Sequence, residues 1–246
     1  MSTLALTHAK VQIIETFRVP IAVIGSAFWP AASMLAFVVP FVGDDAAGAT
    51  YATASMVTFA VMSTNLFQYG IGVAADREQP WEPFVRTLPA GVFPRFAGRL
   101  IAGLALMGFA LFPVVLIAAL FTPATLTLAA VPAVIGATVV ISAPFILMGL
   151  AIGYSMPQKA AVVVAQVLFF PLAFGGGLMA PPGAGPGFVE QLAPYLPTGG
   201  AVRLMWAAVG DYPLQPLSVV SLVAWIVLLG AVAAWAYRRD EGRRFS

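Results

Sequence analysis

The chain has 246 residues, 61% of them apolar and only 9% charged, with a net charge of +2. Long windows free of Asp, Glu, Lys and Arg recur along it, surfaces that no water-soluble domain of this size exposes, so its solvent is lipid. The absence of Cys excludes a disulfide framework and a thiolate metal site, and the twelve basic residues form no patch of the kind that binds nucleic acid.

The first segment, residues 3–18, places Leu4, Leu6, Val11, Ile13, Ile14 and Phe17 on one half of a helical wheel and His8, Gln12, Glu15 and Thr16 on the other. Lys10 and Arg18 sit at the boundary, where long cationic side chains snorkel. The pattern predicts an interfacial helix lying along the cytoplasmic leaflet. The segment is too polar for a signal peptide, and the apolar stretch after it reads as a retained span.

Six charge-poor windows are long enough for a hydrocarbon core that takes about 20 helical residues: about 19–42, 50–73, 100–121, 128–153, 161–180 and 216–237. They are apolar on every face, without the alternation of barrel strands, which predicts an all-α membrane bundle of six transmembrane helices in one domain. Pro113, Pro132, Pro144 and Pro171 fall inside spans and predict kinks. In the fourth span, Gly149 and Gly153 form a small-xxx-small pair that marks close helix packing.

Six spans put both termini on one side, and the basic residues name that side as cytoplasmic. Eleven of the twelve Lys and Arg lie before the first span, between the second and third, between the fourth and fifth, or after the sixth. Arg203 alone falls in the outer connections, with Asp44, Asp45, Glu190 and Asp211.

Between the second and third spans, residues 74–99 are too short for a domain and too patterned for a slack linker. Trp81, Phe84, Val85 and Leu88 recur at i, i+3, i+4 and i+7, with Glu78, Glu82 and Arg86 turned away. Pro80 and Pro83 fit the first turn and Pro89 stops the helix, so a short helix with an apolar face projects into the cytoplasm and invites a partner. The outer segment 181–215 is half apolar, and Phe188, Val189, Leu192 and Leu196, then Leu204, Met205 and Trp206, predict short pieces that re-enter or lid the bundle.

Inside the spans, the polar groups are hydroxyls and amides, and the one His lies outside them. An intramembrane protease, an acyltransferase or a proton-coupled carrier would lack its ionisable groups, so the chain reads as no enzyme. Asn65 and Gln68, about one turn apart, either face a substrate path or bond to a neighbouring helix. Gln166, Phe170 and Phe174 complete the candidate path residues.

These features together resemble the membrane, or permease, subunit of ATP-binding-cassette exporters of the second type. Asp76-Arg77-Glu78-Gln79-Pro80-Trp81, followed by Arg86 and Pro89, is similar to the Asp-Arg-Glu-x-Gly-Trp…Arg-x-x-Pro pattern of that family, with Pro80 where Gly is usual. A second similarity lies in Phe170-Pro171-Leu172-Ala173-Phe174 with Gly176 and Gly177, then Pro186 and Ala193-Pro194-Tyr195-Leu196-Pro197. The resemblance covers nearly the whole chain. It implies a second permease subunit, identical or homologous, and separate ATP-binding subunits that hold ATP and magnesium. The present chain would bind no cofactor, and the 81–88 helix would be the coupling element. Glu15, Arg18, Arg77, Glu78, Trp81, Glu82, Phe84, Val85, Arg86 and Leu88 would form the docking surface. The implied function is export of amphipathic, drug-like or lipid-like compounds across the plasma membrane. The alternative is a non-transporting scaffold that recruits a soluble partner through the same loop.

The partition of basic residues sets a direct test. Single Cys substitutions at Asp44 and Gly187 should label from outside intact cells, and those at Ala90 and Gly242 should not; labelling at position 90 would overturn the arrangement.

Overall fold

A computed structural model describes residues 2–18, 20–80 and 92–243. In chain order they form α1 (Ser2–Phe17), α2 (Pro20–Ser33) running into a π-helical turn (Met34–Val38), α3 (Ala46–Arg77), α4 (Val92–Phe121), α5 (Val131–Ser155), α6 (Gln158–Gly175), α7 (Gly187–Leu192), α8 (Pro197–Val209) and α9 (Pro216–Arg243). No strand occurs among the described residues. The segment expected to form the coupling helix, with Trp81, Glu82, Phe84, Val85, Arg86 and Leu88, lies outside the described residues.

Among the described residues, four helical stretches are long and apolar enough to cross a membrane: Phe96–Phe121, Leu128–Ser155, Gln158–Gly175 and Pro216–Glu241. The protein has the build of a multi-pass membrane protein. The windows 19–42 and 50–73 also contain helix, but with a different character. In the first, helix runs from Pro20 to Val38, and Ala27–Val38 is its apolar stretch among the residues whose side chains are described. The second is α3, whose 32 residues are ample for a crossing at about 1.5 Å each but which carries Ser, Thr and Asn along its length.

The reason for that polarity is position. Packed on α2, α4, α5, α6 and α8, α3 is the axis of the bundle, with 19 of its 32 residues buried. Its hydroxyls bond backward to its own carbonyls, Thr58 to Ala54 at 2.9 Å and Ser63 to Ala60 at 3.1 Å, and need no lipid-compatible surface. The peripheral helices invert this: only 28%, 22% and 22% of the most apolar stretches of α4, α6 and α9 are buried, against 61% for α5.

The tightest seam runs between α3 and α5. A methyl group on Gly149 would lie 2.9 Å from Tyr69 Cβ and 3.1 Å from the Asn65 carbonyl oxygen; one on Gly153 would lie 2.7 Å from the Tyr69 carbonyl oxygen and 2.8 Å from Val73 Cβ. The two glycines let the backbones approach as the small-xxx-small spacing predicts.

At one end of the bundle, α1 rests lengthwise on α4. Ala5 and His8 come against Gly98, and Phe17 stacks edge-on with Phe109 at 5.4 Å. The two contacts are 11 residues apart on α4, about 16 Å of helix. Leu4, Leu6, Val11 and Ile14 face outward. At the other end, Thr50 of α3 and Thr125 of the α4–α5 connection exchange hydrogen bonds of 3.1 and 3.0 Å.

Gly153→Ala should therefore lower stability by about 1–3 kcal/mol, the usual cost of an overpacked seam. Gly72→Ala, which has open space at its Cα, should be neutral or slightly stabilising. Thermal unfolding of the detergent-purified protein separates the two; equal melting temperatures would show that the seam is not tight.

Candidate functional site: the charged junction at the end of α3

Three consecutive charged residues close α3, and each ties a different helix end to it. Asp76 pairs with Arg99 of α4. Arg77 donates Nε, at 3.0 Å, and Nη2 to Oδ1 of Asp240 on α9. Its Nη1 donates to the carbonyl oxygens of Gly153, at 2.8 Å, and Met156, at 3.1 Å, where α5 ends. Glu78 Oε1 accepts the backbone N–H of Gln158, the first residue of α6, at 2.8 Å.

The order of charges matches the helix ends they meet. α5 ends with unsatisfied carbonyls and the negative pole of its dipole, and Arg77 brings a cation there; α6 begins with unsatisfied N–H groups and a positive pole, and Glu78 brings an anion. Because α6 follows α5 after a two-residue turn, adjacent side chains of α3 serve both. Asp240 is buried, so Arg77 is also the group that makes its charge tolerable there.

Around this junction, Arg77, Tyr154, Ser155, Trp235, Ala236, Arg239 and Asp240 line a small cleft. Arg239 lies over the Trp235 ring at 5.1 Å, Tyr154 and Tyr237 meet edge to face at 5.1 Å, and Tyr237 Oη donates to Glu241 at 2.6 Å. Arg77, Arg99 and Arg239 come to this end of the bundle.

The residues expected to take part in function do not all come together. Arg77 and Glu78 are held in this junction, four and three residues before the undescribed segment that begins at position 81. Glu15 and Arg18 are exposed at the end of α1, beside the Phe17–Phe109 contact and ten residues along α4 from Arg99, about 15 Å of helix.

The expected path residues separate into two groups. Asn65 is buried, and its Nδ2 donates to the Val61 carbonyl at 2.8 Å and to Met107 Sδ at 3.5 Å. Ser142 Oγ reaches the same sulfur at 3.3 Å, so Met107 joins α3 to α5 through α4. Asn65 thus bonds to a neighbouring helix. Gln68 is half-buried on α3. Gln166, Phe170 and Phe174 instead share one exposed stripe of α6 with Val163 and Val167, at i, i+3, i+4, i+7 and i+11. Phe169 turns the other way and stacks on Phe59 and Phe67 of α3 at 4.9 and 5.3 Å.

At the far end of the bundle, α8 is inserted among α3, α5, α6 and α9 and buries nine of its thirteen residues. Trp206 Nε1 donates to Ser55 Oγ at 2.9 Å and to the Tyr51 carbonyl at 3.2 Å, and Tyr212 stacks on its ring at 5.1 Å. Gly199 and Gly200 make the insertion possible, since a methyl on Gly199 would strike the Ala193 carbonyl oxygen and one on Gly200 would lie 2.8 Å from that of Ser218.

No family model matches the chain. Among curated proteins, it is similar to one from Bacillus subtilis (strain 168) named "Putative transport permease YvfS", at 22% identity over 205 residues, covering 81% of this chain and 82% of that protein.

Asp240 is not among the residues that the sequence pattern singles out. The sequence signal for it is an Asp between Arg239 and Glu241 at the end of an apolar helix, which needs a cation such as Arg77 if it is buried. Arg77→Ala should lower stability by about 3 kcal/mol, the order for stranding one member of a buried pair. The double variant Arg77→Ala/Asp240→Ala should lose less than the sum of the single changes. A denaturation series in mild detergent measures both; strict additivity would show that the pair does not couple.

Proposed function

We propose that this chain is the permease subunit of an ATP-driven exporter of amphipathic compounds, working as one of two permease subunits in the plasma membrane with separate ATP-binding subunits on the cytoplasmic side. The observation that carries the proposal is the junction at Asp76, Arg77 and Glu78. It binds the ends of α4, α5, α6 and α9 to the α3 terminus, from which the segment with the Trp81, Phe84, Val85 and Leu88 face departs. The similarity to the Bacillus subtilis protein over four-fifths of both chains supports the transport reading.

The mechanism follows from that linkage. The 81–88 segment docks on the ATP-binding subunit through its apolar face, with Glu82 and Arg86 setting the charge register. Closure of the ATPases on nucleotide displaces the segment, and the α3 terminus transmits the displacement to the helix ends it holds. The bundle tilts as rigid elements and opens outward. In this reading, all six apolar windows cross the membrane, with both termini in the cytoplasm. The exposed α6 stripe of Gln166, Phe170 and Phe174 faces the path between the two permease subunits.

Purification in mild detergent should bring down an ATP-binding subunit, whose ATPase activity Trp81→Ala or Phe84→Asp should uncouple while weakening binding by about 2 kcal/mol or more. In vesicles, transport by the reconstituted complex should require ATP and no ion gradient. Movement driven by a proton or sodium gradient without nucleotide would overturn the exporter reading, and copurification without transport or stimulated ATPase activity would favour the scaffold.

A further inference from the structure

Arg203 is the one basic residue that falls among the acidic outer connections, and α8 carries it into the interior, where it is only 7% exposed. Its one hydrogen bond among the described residues runs from Nη1 to the Gly199 carbonyl at 3.3 Å, a turn back along its own helix. Nε has no partner, and neither of the ion pairs among the described residues includes this guanidinium. Its helix neighbours Val202, Met205 and Trp206 are buried as well, so the guanidinium sits in an apolar part of the bundle. Arg77 and Arg99 each have a carboxylate. The acids at the end where Arg203 lies, Asp44, Asp45, Glu190 and Asp211, are exposed on the connections.

Helical spacing places Arg203 on the face of Gly199 and Gly200, four and three residues before it. That face presses on the turn at Ala193 and on the start of α9, where Ser218 meets Gly200. Ser218 is itself buried with its hydroxyl unpartnered. The guanidinium with its spare N–H, and the spare hydroxyl of the residue whose backbone carbonyl meets the same face of α8, each lack an acceptor, one that has negative charge and several lone pairs. Phosphate meets both needs, and the planar fork of Arg suits it.

We propose that Arg203 and Ser218 form a phosphate-binding site for the headgroup of an anionic amphiphile, taken up in the outer part of the bundle beside α8. This deepens the exporter reading by naming the substrate class, but binding to the site needs neither ATP nor a partner subunit and is tested separately from transport.

The test is native mass spectrometry of the purified chain with phosphatidylglycerol and phosphatidylcholine of equal acyl chains. The intact protein should retain phosphatidylglycerol preferentially. Arg203→Gln should reduce that preference about tenfold, Arg203→Lys should keep part of it, and Lys159→Gln, which removes an exposed cation at the opposite end, should leave it unchanged. Ser218→Ala, a minimal change that keeps the fold, should weaken retention about threefold and covers the case in which Arg203→Gln does not fold. Displacement of phosphatidylglycerol by excess inorganic phosphate would assign the site to the free anion, and failure of phosphate to compete would assign it to the lipid headgroup; both uphold a phosphate site. Equal retention of the two lipids by the intact protein, or an unchanged preference in both Arg203→Gln and Ser218→Ala, would overturn the proposal. So would dissociation of a dimer by Arg203→Gln with no lipid preference in the intact protein, since the counter-charge would then belong to a second copy.

Discussion

The Arg77 guanidinium is the contact on which the packing of one whole end of the bundle depends. It sits where three helices stop and gives each what its terminus lacks: a cation for the open carbonyls of α5 and a counter-charge for the buried carboxylate of α9, delivered from the last turn of α3. In water such an arrangement would contribute little, because exposed charges are well solvated already. Near the membrane, unsatisfied carbonyls and an unpaired carboxylate are expensive. Removing Arg77 therefore leaves several buried polar groups stranded at once. Asp76 and Glu78 extend the same logic to α4 and α6, so the end of α3 cannot move without moving the ends of the other helices.

The opposite end is built on a different principle. There α8 is wedged among four helices by glycine contacts and by the Trp206 indole, which bonds to α3 and stacks on Tyr212. The charged end ties helix termini together, and the aromatic end buries Arg203, which has no carboxylate partner among the described residues. Between them, the centre is sealed by backbone proximity of α3 and α5 and by the Met107 sulfur shared between Asn65 and Ser142. A chain organised in this way combines a stiff axis with two ends of different chemistry.

Sequence reading located the apolar helices well because absence of charge is a strong signal in lipid, but it placed their ends by where charge begins. The helices run further: α3 extends to Arg77, α4 starts at Val92, before Arg95 and Arg99, and α9 continues to Arg243. Backbone hydrogen bonding does not stop at the hydrocarbon boundary, and charged residues are good helix formers. The path residues were grouped by polarity and aromaticity, and the fold separated them because Asn65 faces inward from α3 while Gln166, Phe170 and Phe174 face outward from α6.

The sequence by itself determined the solvent, the helical class and the segregation of basic residues, because each follows from transfer free energies that act on every residue in the same way wherever it lies. It also marked Gly149 and Gly153, whose spacing alone puts two missing side chains on one face. Only the tertiary structure decided what the charged residues touch. Arg77 finds Asp240 across 163 positions of chain, Glu78 finds the first N–H of α6 across 80, and Arg203 finds no carboxylate among the described residues. Pairing of that kind depends on which helices become neighbours, and a linear pattern carries no distance between them.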